Sequence, residues 1–363
     1  MSNAGSDLYP LCMNESVFIS YSRQDAAVAE ELHAFFSQLG LDVFRDVEGL
    51  NGGEDWRHRI LDAAKRARAF VFLSSAASLS GRPMIEEELE IARAKLLVDG
   101  RFTFLTIRLD ETDLRDWMLR IQFRRWQDED LFTRLAATVN AMLDPASDAV
   151  TPLSRNVFLN TRPTAVEYET AACSYRYSVP SVAIVGDRHV ADEVNALIRG
   201  RIAEVVLRMR GFTEGGPVEK NAMPSMIVVD LIDADVSEDN VGLSFEHFTY
   251  SSGAAHPTHD FVAINIGRSP WGLVEAHVLP ADLPELSGLI ADAVEAEGHE
   301  FLWERDVLVR SLQEFDYGRY TVFTATGVKL LFPDLAIGAH VNGPSILEVD
   351  DPDVLRLLRG YRN

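Results

Sequence analysis

Two short runs with hardly a polar residue, 17–20 (VFIS) and 70–74 (FVFLS), constrain this chain more than any other feature. A strand that is apolar along its length has no solvent face. Sheets built from such strands are parallel and carry helices on both sides. The sequence between the two runs agrees. Residues 26–39 place Val28, Leu32, Phe35, Phe36 and Leu39 on one side of a helix, and Gly40 stands where a helix-ending glycine belongs. Residues 41–45 read as a second strand. Residues 46–55 hold three glycines and four acids and read as a long mobile loop. Residues 56–69 read as an amphipathic helix. Further on, 101–109 reads as a strand, 113–119 as a short helix, 121–126 as a short strand and 130–143 as a closing helix. Strand and helix alternating in this way predict an α/β unit with a doubly wound, flavodoxin-like parallel sheet.

The second half follows another grammar. Strand-like stretches at 166–178, 226–232, 241–251, 260–266, 320–324, 327–331 and 345–349 come in groups. Helical stretches at 191–209 and 286–297 separate them. That grouping predicts an α+β domain with a mainly antiparallel sheet. The polar segment 144–152 carries two prolines and reads as a linker. The expected organisation is a tail at 1–14, an α/β domain at 15–144, a linker at 145–155 and an α+β domain at 156–363.

Charge and cysteine content limit the function classes. The net charge is −22. The residues through Pro145 contribute −7 of it and the remainder −15. A chain so acidic, with no basic run longer than Arg124-Arg125, repels nucleic acid and anionic membrane. The excess acid in the second half fits a basic protein or peptide as partner. No apolar run approaches the ~20 residues of a membrane helix. The N-terminal MSNAGSDLYP has neither the basic nor the apolar region of a signal peptide. The two cysteines, Cys12 and Cys173, are far apart, which fits a reducing compartment and predicts a cytoplasmic protein.

Three pieces of the first half carry a family resemblance. They are F-I-S-Y-S-x-x-D from Phe18, V-F-x-D-x-x-x-L-x-x-G from Val43, and F-V-F-L-S-S before an acidic helix. In this order and spacing they resemble the Toll/interleukin receptor (TIR) family over residues 15–142. The second half resembles, over 157–350, a domain of unknown function found on bacterial envelope proteins. Those proteins include a lysozyme-sensing anti-sigma factor and a peptidoglycan deacetylase. That resemblance rests on F-x-Y-S-S-G-A-A-H-P at 248–257, G-V-K-L-L-F at 327–332 and A-I-G-A-H-V-N-G-P at 336–344. It implies a sensing or ligand-binding role.

The TIR resemblance implies an enzyme that breaks the nicotinamide–ribose bond of NAD, here a substrate and not a cofactor; no other cofactor and no metal is expected. Such a bond breaks through an oxocarbenium-like centre, which a carboxylate stabilises. The acidic helix offers Glu86, Glu87, Glu88 and Glu90. Ile85, Leu89, Ala92 and Leu96 define its core face. At ~100° per residue, Glu87 and Glu90 point away from that face, while Glu86 and Glu88 lie at its edges. Glu88 opens E-L-E-I-A, as the family's glutamate precedes an apolar residue, and is the catalytic candidate. The family's aromatic residue four positions earlier is replaced here by Met84.

The remaining pocket candidates follow from topology. Ligands of doubly wound sheets sit outside the carboxyl ends of strands. Ser20, Tyr21 and Arg23 leave the first strand there, with Arg23 suited to the pyrophosphate. Phe44 and Arg45 leave the second strand, Phe44 suited to stacking on nicotinamide. Trp56 begins the next helix, after the segment that matches the family's pocket-gating loop. Without G-x-G-x-x-G, NAD is not expected to bind as it does in dehydrogenases. His256, His259 and Asp260 share one loop but make a poor metal site.

These features lead to an expectation of an NAD glycohydrolase or ADP-ribosyl cyclase acting in bacterial defence. It would self-associate through the TIR domain and be regulated by its C-terminal half. The rivals are a non-catalytic TIR scaffold and an activity like that of nucleoside deoxyribosyltransferases.

Overall fold

The computed structural model describes residues 16–45, 56–121, 123–143, 149–169, 173–213, 224–298, 302–339 and 343–362. The expected tail at 1–14 and the loop at 46–55 lie outside the described residues. The chain divides into two compact units. One is Met1–Phe158 with Ala183–Arg188, the other Leu159–Val182 with His189–Asn363.

In the first unit the elements are β1 (Ser16–Ser20), α1 (Ala26–Gln38), β2 (Asp42–Arg45), α2 (Trp56–Arg66), β3 (Ala69–Ser74), α3 (Pro83–Val98), β4 (Thr103–Arg108), β5 (Phe123–Arg125), α4 (Leu131–Leu143) and β6 (Val150–Ser154). Strands β1–β5 form a parallel sheet of order β2-β1-β3-β4-β5, the flavodoxin-like arrangement expected. The central strands β1 and β3 are apolar along almost their whole length because both of their faces are covered. Val17, Ile19, Val71, Leu73 and Ile107 pack with α1 and α4. Phe18, Phe70, Phe72 and Phe104 pack with α2 and α3.

On that second face one residue from each of four strands makes a row of stacked rings. Phe44, Phe18, Phe70 and Phe104 are register partners in sequence, with centroids 5.5, 5.1 and 5.6 Å apart. Helix α1 ends as its glycine requires. Gly40 has φ 80°, its N–H donates to Ser37 O and that of Leu41 to Phe36 O, a Schellman cap.

Two readings of this unit need correction. The helix expected at 113–119 is absent, and only a short 3-10 turn at Met118–Arg120 forms. Leu114 and Met118 are the only side chains of that stretch buried in the core, too little to hold several turns. The polar segment read as a linker is also structured in part. Residues 144–148 lie outside the described residues, but Val150–Ser154 form β6. There Asn140 binds the backbone of Val150 through both its amide oxygen and its amide nitrogen, at 2.7 and 2.8 Å. Phe158 packs edge-on to Phe35 at 5.3 Å. Gln38 accepts from Ile184 N–H at 3.2 Å. Phe158 and Ile184 have partners more than 100 residues earlier, and local polarity does not reveal them.

The second unit holds most of β7 (Val157–Glu169) and β8 (Cys173–Ile184), then α5 (Arg188–Thr213), β9 (Ser225–Val236), β10 (Asn240–Tyr250), β11 (Thr258–Arg268), β12 (Trp271–His277), α6 (Leu283–Glu297), α7 (Arg305–Gln313), α8 (Tyr317–Tyr320), β13 (Thr321–Phe323), β14 (Val328–Phe332), β15 (Ser345–Val349), α9 (Pro352–Leu357) and β16 (Arg359–Arg362). Its main sheet runs β16-β12-β11-β10-β9-β8-β7, and β13-β14-β15 form a smaller one. Pairing is antiparallel at β9–β10, β10–β11, β11–β12 and β12–β16 and parallel at β8–β9. The α+β expectation holds. The single strand read at 166–178 is instead the end of β7 and the start of β8, and residues 170–172 lie outside the described residues. Gly327, in the late motif, is a contact glycine: a Cβ there would stand 2.1 Å from Val349 O.

Candidate functional site

The carboxyl end of the parallel sheet gathers the chemistry. Helix α3 opens with Pro83 at its first position, where the missing N–H costs nothing. Ile85, Leu89 and Ala92 bury its core side. Of its four glutamates Glu88 is the buried one, 4% exposed. Ser20, the last residue of β1, is 1% exposed and donates its hydroxyl to Glu88 Oε2 at 2.6 Å. The direction follows from the pleat. Phe18 faces α2 and α3, so Ser20 two residues on faces them too. A hydroxyl–carboxylate bond of this length, out of water, is of the strong charge-assisted kind.

The neighbouring acids are differently placed. Glu86 takes a bidentate grip from Arg115, which holds its carboxyl below the usual range. Glu87 pairs with Arg57 of α2. Glu90 is exposed, 3.9 Å from Arg93.

The other sequence candidates separate by sheet face. Phe44 stacks on Phe18 on the Glu88 face. Met84 is half-buried in the same cluster, one turn before Glu88. Tyr21 packs instead against the α1 side. Arg45 also faces α1, where Glu30 pairs with both Arg45 and Arg188. His33, on the same helix, is held below the usual imidazole range by burial and by Arg45. Arg23 is exposed in the turn Arg23–Asp25 that leaves β1. That turn is capped by Ser22, whose Oγ accepts from Gln24 N–H at 3.4 Å. Asp25 accepts from Ser75 Oγ at 2.7 Å, tying the ends of β1 and β3 together. Trp56 is the first residue of α2; its side chain and the loop before it lie outside the described residues. The structure thus brings Ser20, Phe44, Met84 and Glu88 to one face and puts Tyr21 and Arg45 on the other.

Residues 17–137 match the family model described as the TIR domain. The first unit contains a TIR domain. Among solved structures, the TIR domain of a Toll-related receptor from Hydra magnipapillata is similar at 17% identity and a TM-score of 0.29, over 36% of this chain and 98% of that one. Two DUF3298 family structures are similar as well. The one from Bacteroides fragilis shows 11% identity and a TM-score of 0.37, over 55% of this chain and 95% of that one. The one from Pseudomonas aeruginosa shows 11% identity and a TM-score of 0.34, over 58% and 95%. No curated protein matches the sequence. In the TIR domain, then, the buried carboxylate and its serine stand at the carboxyl edge of the sheet.

Three polar groups of the TIR domain escaped the sequence reading although they share the Glu88 face: Ser74, Thr106 and Arg108. Alternation from Phe72 and Phe104 was enough to find them. In the second unit, His259 Nδ1 lies 2.7 Å from Glu246 Oε1, and Asp260 accepts from Arg319 at 2.8 Å. Among the described residues no group of three or more His, Cys, Asp or Glu side chains could hold a metal, and no helix is long and apolar enough to cross a membrane.

Proposed function

We propose that the TIR domain cleaves the nicotinamide–ribose bond of NAD and that Glu88 carries the chemistry. The observation that supports this most is the buried Glu88 carboxylate fixed by Ser20 at the carboxyl end of β1. In the reaction the C1′–N bond breaks and its electron pair leaves with nicotinamide. Positive charge develops on the ribosyl carbon. A carboxylate held in place by a short hydrogen bond stabilises that charge without reorganising, which is where such groups contribute most. Water then bonds to C1′ and loses a proton, giving ADP-ribose. Attack by a group of the same molecule gives the cyclic product instead. Phe44 and Met84 offer an apolar wall beside Glu88 for the nicotinamide ring, and Arg23 a cation for the pyrophosphate.

We further propose that the protein works in the cytoplasm as a signalling effector of bacterial defence, self-associates through its TIR domain, and is restrained by its acidic second unit until a basic protein or peptide binds. Incubating purified protein at high concentration with NAD and following nicotinamide release tests the activity. Release in proportion to enzyme supports it. A folded protein that self-associates or binds other TIR domains and releases no nicotinamide is a scaffold.

A further inference from the structure

Strands β3 and β4 end on the Glu88 face with polar atoms that lack a hydrogen-bond partner among the described residues. They are Ser74 Oγ, Thr106 Oγ1 and Arg108 Nε, all buried. Ser74 is 1% and Thr106 2% exposed. Register fixes their arrangement. Phe72 lies between Ser20 on one flank and Thr106 on the other. Ser74 follows Phe72 by two residues, so it points to the same face, one pleat nearer the carboxyl edge. It is thus the diagonal neighbour of Ser20, the serine that holds Glu88. Arg108, its partner on β4, lies over the Phe123 ring at 5.3 Å and donates through Nη2 to Thr112 O at 3.0 Å.

Buried polar groups are almost always paired, and each exception calls for an explanation. Nearby serines obey the rule: Ser75 donates to Asp25 and Ser78 to Ser75 O. Among the described residues of the TIR domain, the hydroxyls without a partner, Ser74 Oγ and Thr106 Oγ1, are both on the face of the buried glutamate. A hydroxyl with no partner in the free protein costs stability, and a partner brought by a ligand removes that cost. A group that suits a hydroxyl placed diagonally to the serine holding Glu88 is another hydroxyl, which can donate to the carboxylate and accept from Ser74.

We infer that Ser74 is a substrate-positioning residue that hydrogen-bonds a hydroxyl of the ribose facing Glu88. This rests on the reading of the TIR domain as an NAD-cleaving enzyme. Thr106 lies one pleat further from the edge and makes no such contact. It is the matched control, a second unpaired hydroxyl in the same layer.

The test compares Ser74→Ala, Ser74→Thr, Thr106→Val and Glu88→Gln in the full chain by thermal unfolding and by NAD kinetics. Ser74→Ala and Thr106→Val each unfold at a temperature equal to or above wild type, since each removes an unmet polar group. Ser74→Ala raises KM for NAD about tenfold, the worth of one hydrogen bond to a ligand. Ser74→Thr restores it, and Thr106→Val leaves it unchanged. With 2′-deoxy- or 3′-deoxy-NAD, one of the two, wild type and Ser74→Ala become equal. The inference is overturned if Ser74→Ala and Thr106→Val have the same kinetics, or if neither deoxy substrate abolishes the difference. Loss of cleavage in Glu88→Gln alongside those results overturns the inference alone. A wild-type chain that cleaves no NAD overturns the reading beneath it as well.

Discussion

Removing the Ser20 hydroxyl isolates what the site geometry contributes. Ser20→Ala deletes the donor of a 2.6 Å bond to Glu88 Oε2 between residues 1% and 4% exposed. The alanine fits the serine's space, so packing is nearly unchanged. A hydrogen bond to a charged group contributes about 1.5–3 kcal/mol, and a buried acceptor left short of a donor costs about as much. We therefore expect a loss of about 2 kcal/mol in the stability of the TIR domain. At roughly 2–4 °C per kcal/mol for a unit of this size, its unfolding midpoint falls by about 4–8 °C. Catalysis should suffer with it, because the carboxylate is no longer held where charge develops. If half of the lost energy is expressed in the transition state, the rate falls by about fivefold. Differential scanning fluorimetry and nicotinamide release measure the two effects on the same preparation. Ser20→Thr, which keeps a hydroxyl, should recover most of both. A Ser20→Ala protein with wild-type midpoint and turnover would show that the bond neither supports the fold nor positions the glutamate.

Three further outcomes follow from other parts of the chain. His247, buried on β10, is held below the usual imidazole range first by burial. The unfolded chain therefore takes up a proton near pH ~6.5 that the folded chain does not. Stability is complete above that pH and declines as pH falls below it, at up to about 1.4 kcal/mol per pH unit; His247→Gln should flatten the decline in urea titrations between pH 7 and 5. Lys329 lies among Asp233, Asp235 and Glu348. Burial opposes its charge, but the two aspartates outweigh this and raise its pKa above that of an ordinary lysine. Lys329→Met, by leaving those acids uncompensated, should cost about 1–3 kcal/mol, below the 3–5 of a fully buried pair, read as a lower denaturant midpoint. Truncation after Pro145 removes Val150, Phe158 and Ala183 from the TIR-domain core. At ~1.5–3 kcal/mol for each large side chain, the fragment should unfold well below the full chain in circular dichroism; an equal midpoint would show those residues to be dispensable.

Much of the TIR domain was legible because its information is local. Continuous apolar runs announced β1 and β3, and Gly40 marked the end of α1. The helical wheel put Glu88 at the edge of the core face, where the fold buries it. What was not legible depends on distant pairing. The wheel did not distinguish Glu88 from Glu86, whose fates are set by Ser20 on β1 and Arg115 after β4. The sheet face of Arg45 was knowable from alternation with Phe44, yet proximity along the chain had grouped the two. The polar segment at 144–152 looked like a boundary because nothing local shows that Phe158 belongs beside Phe35. In the second unit β12, α7 and α9 were missed. Short elements such as α9 bury few residues, here Val354 and Leu357, too few to set a period.

The central claim is that Glu88 makes this TIR domain an enzyme, and one comparison tests it most directly. Nicotinamide release from NAD is followed for wild type, Glu88→Gln and Glu87→Ala, with folding of each confirmed by circular dichroism. Glu88→Gln keeps the shape and loses the charge, so its rate should fall by about 10²–10³, the scale of one lost electrostatic contact at a transition state. Glu87→Ala, which removes a solvent-accessible pair with Arg57, should match wild type. A folded Glu88→Gln protein that cleaves NAD at the wild-type rate would contradict the account.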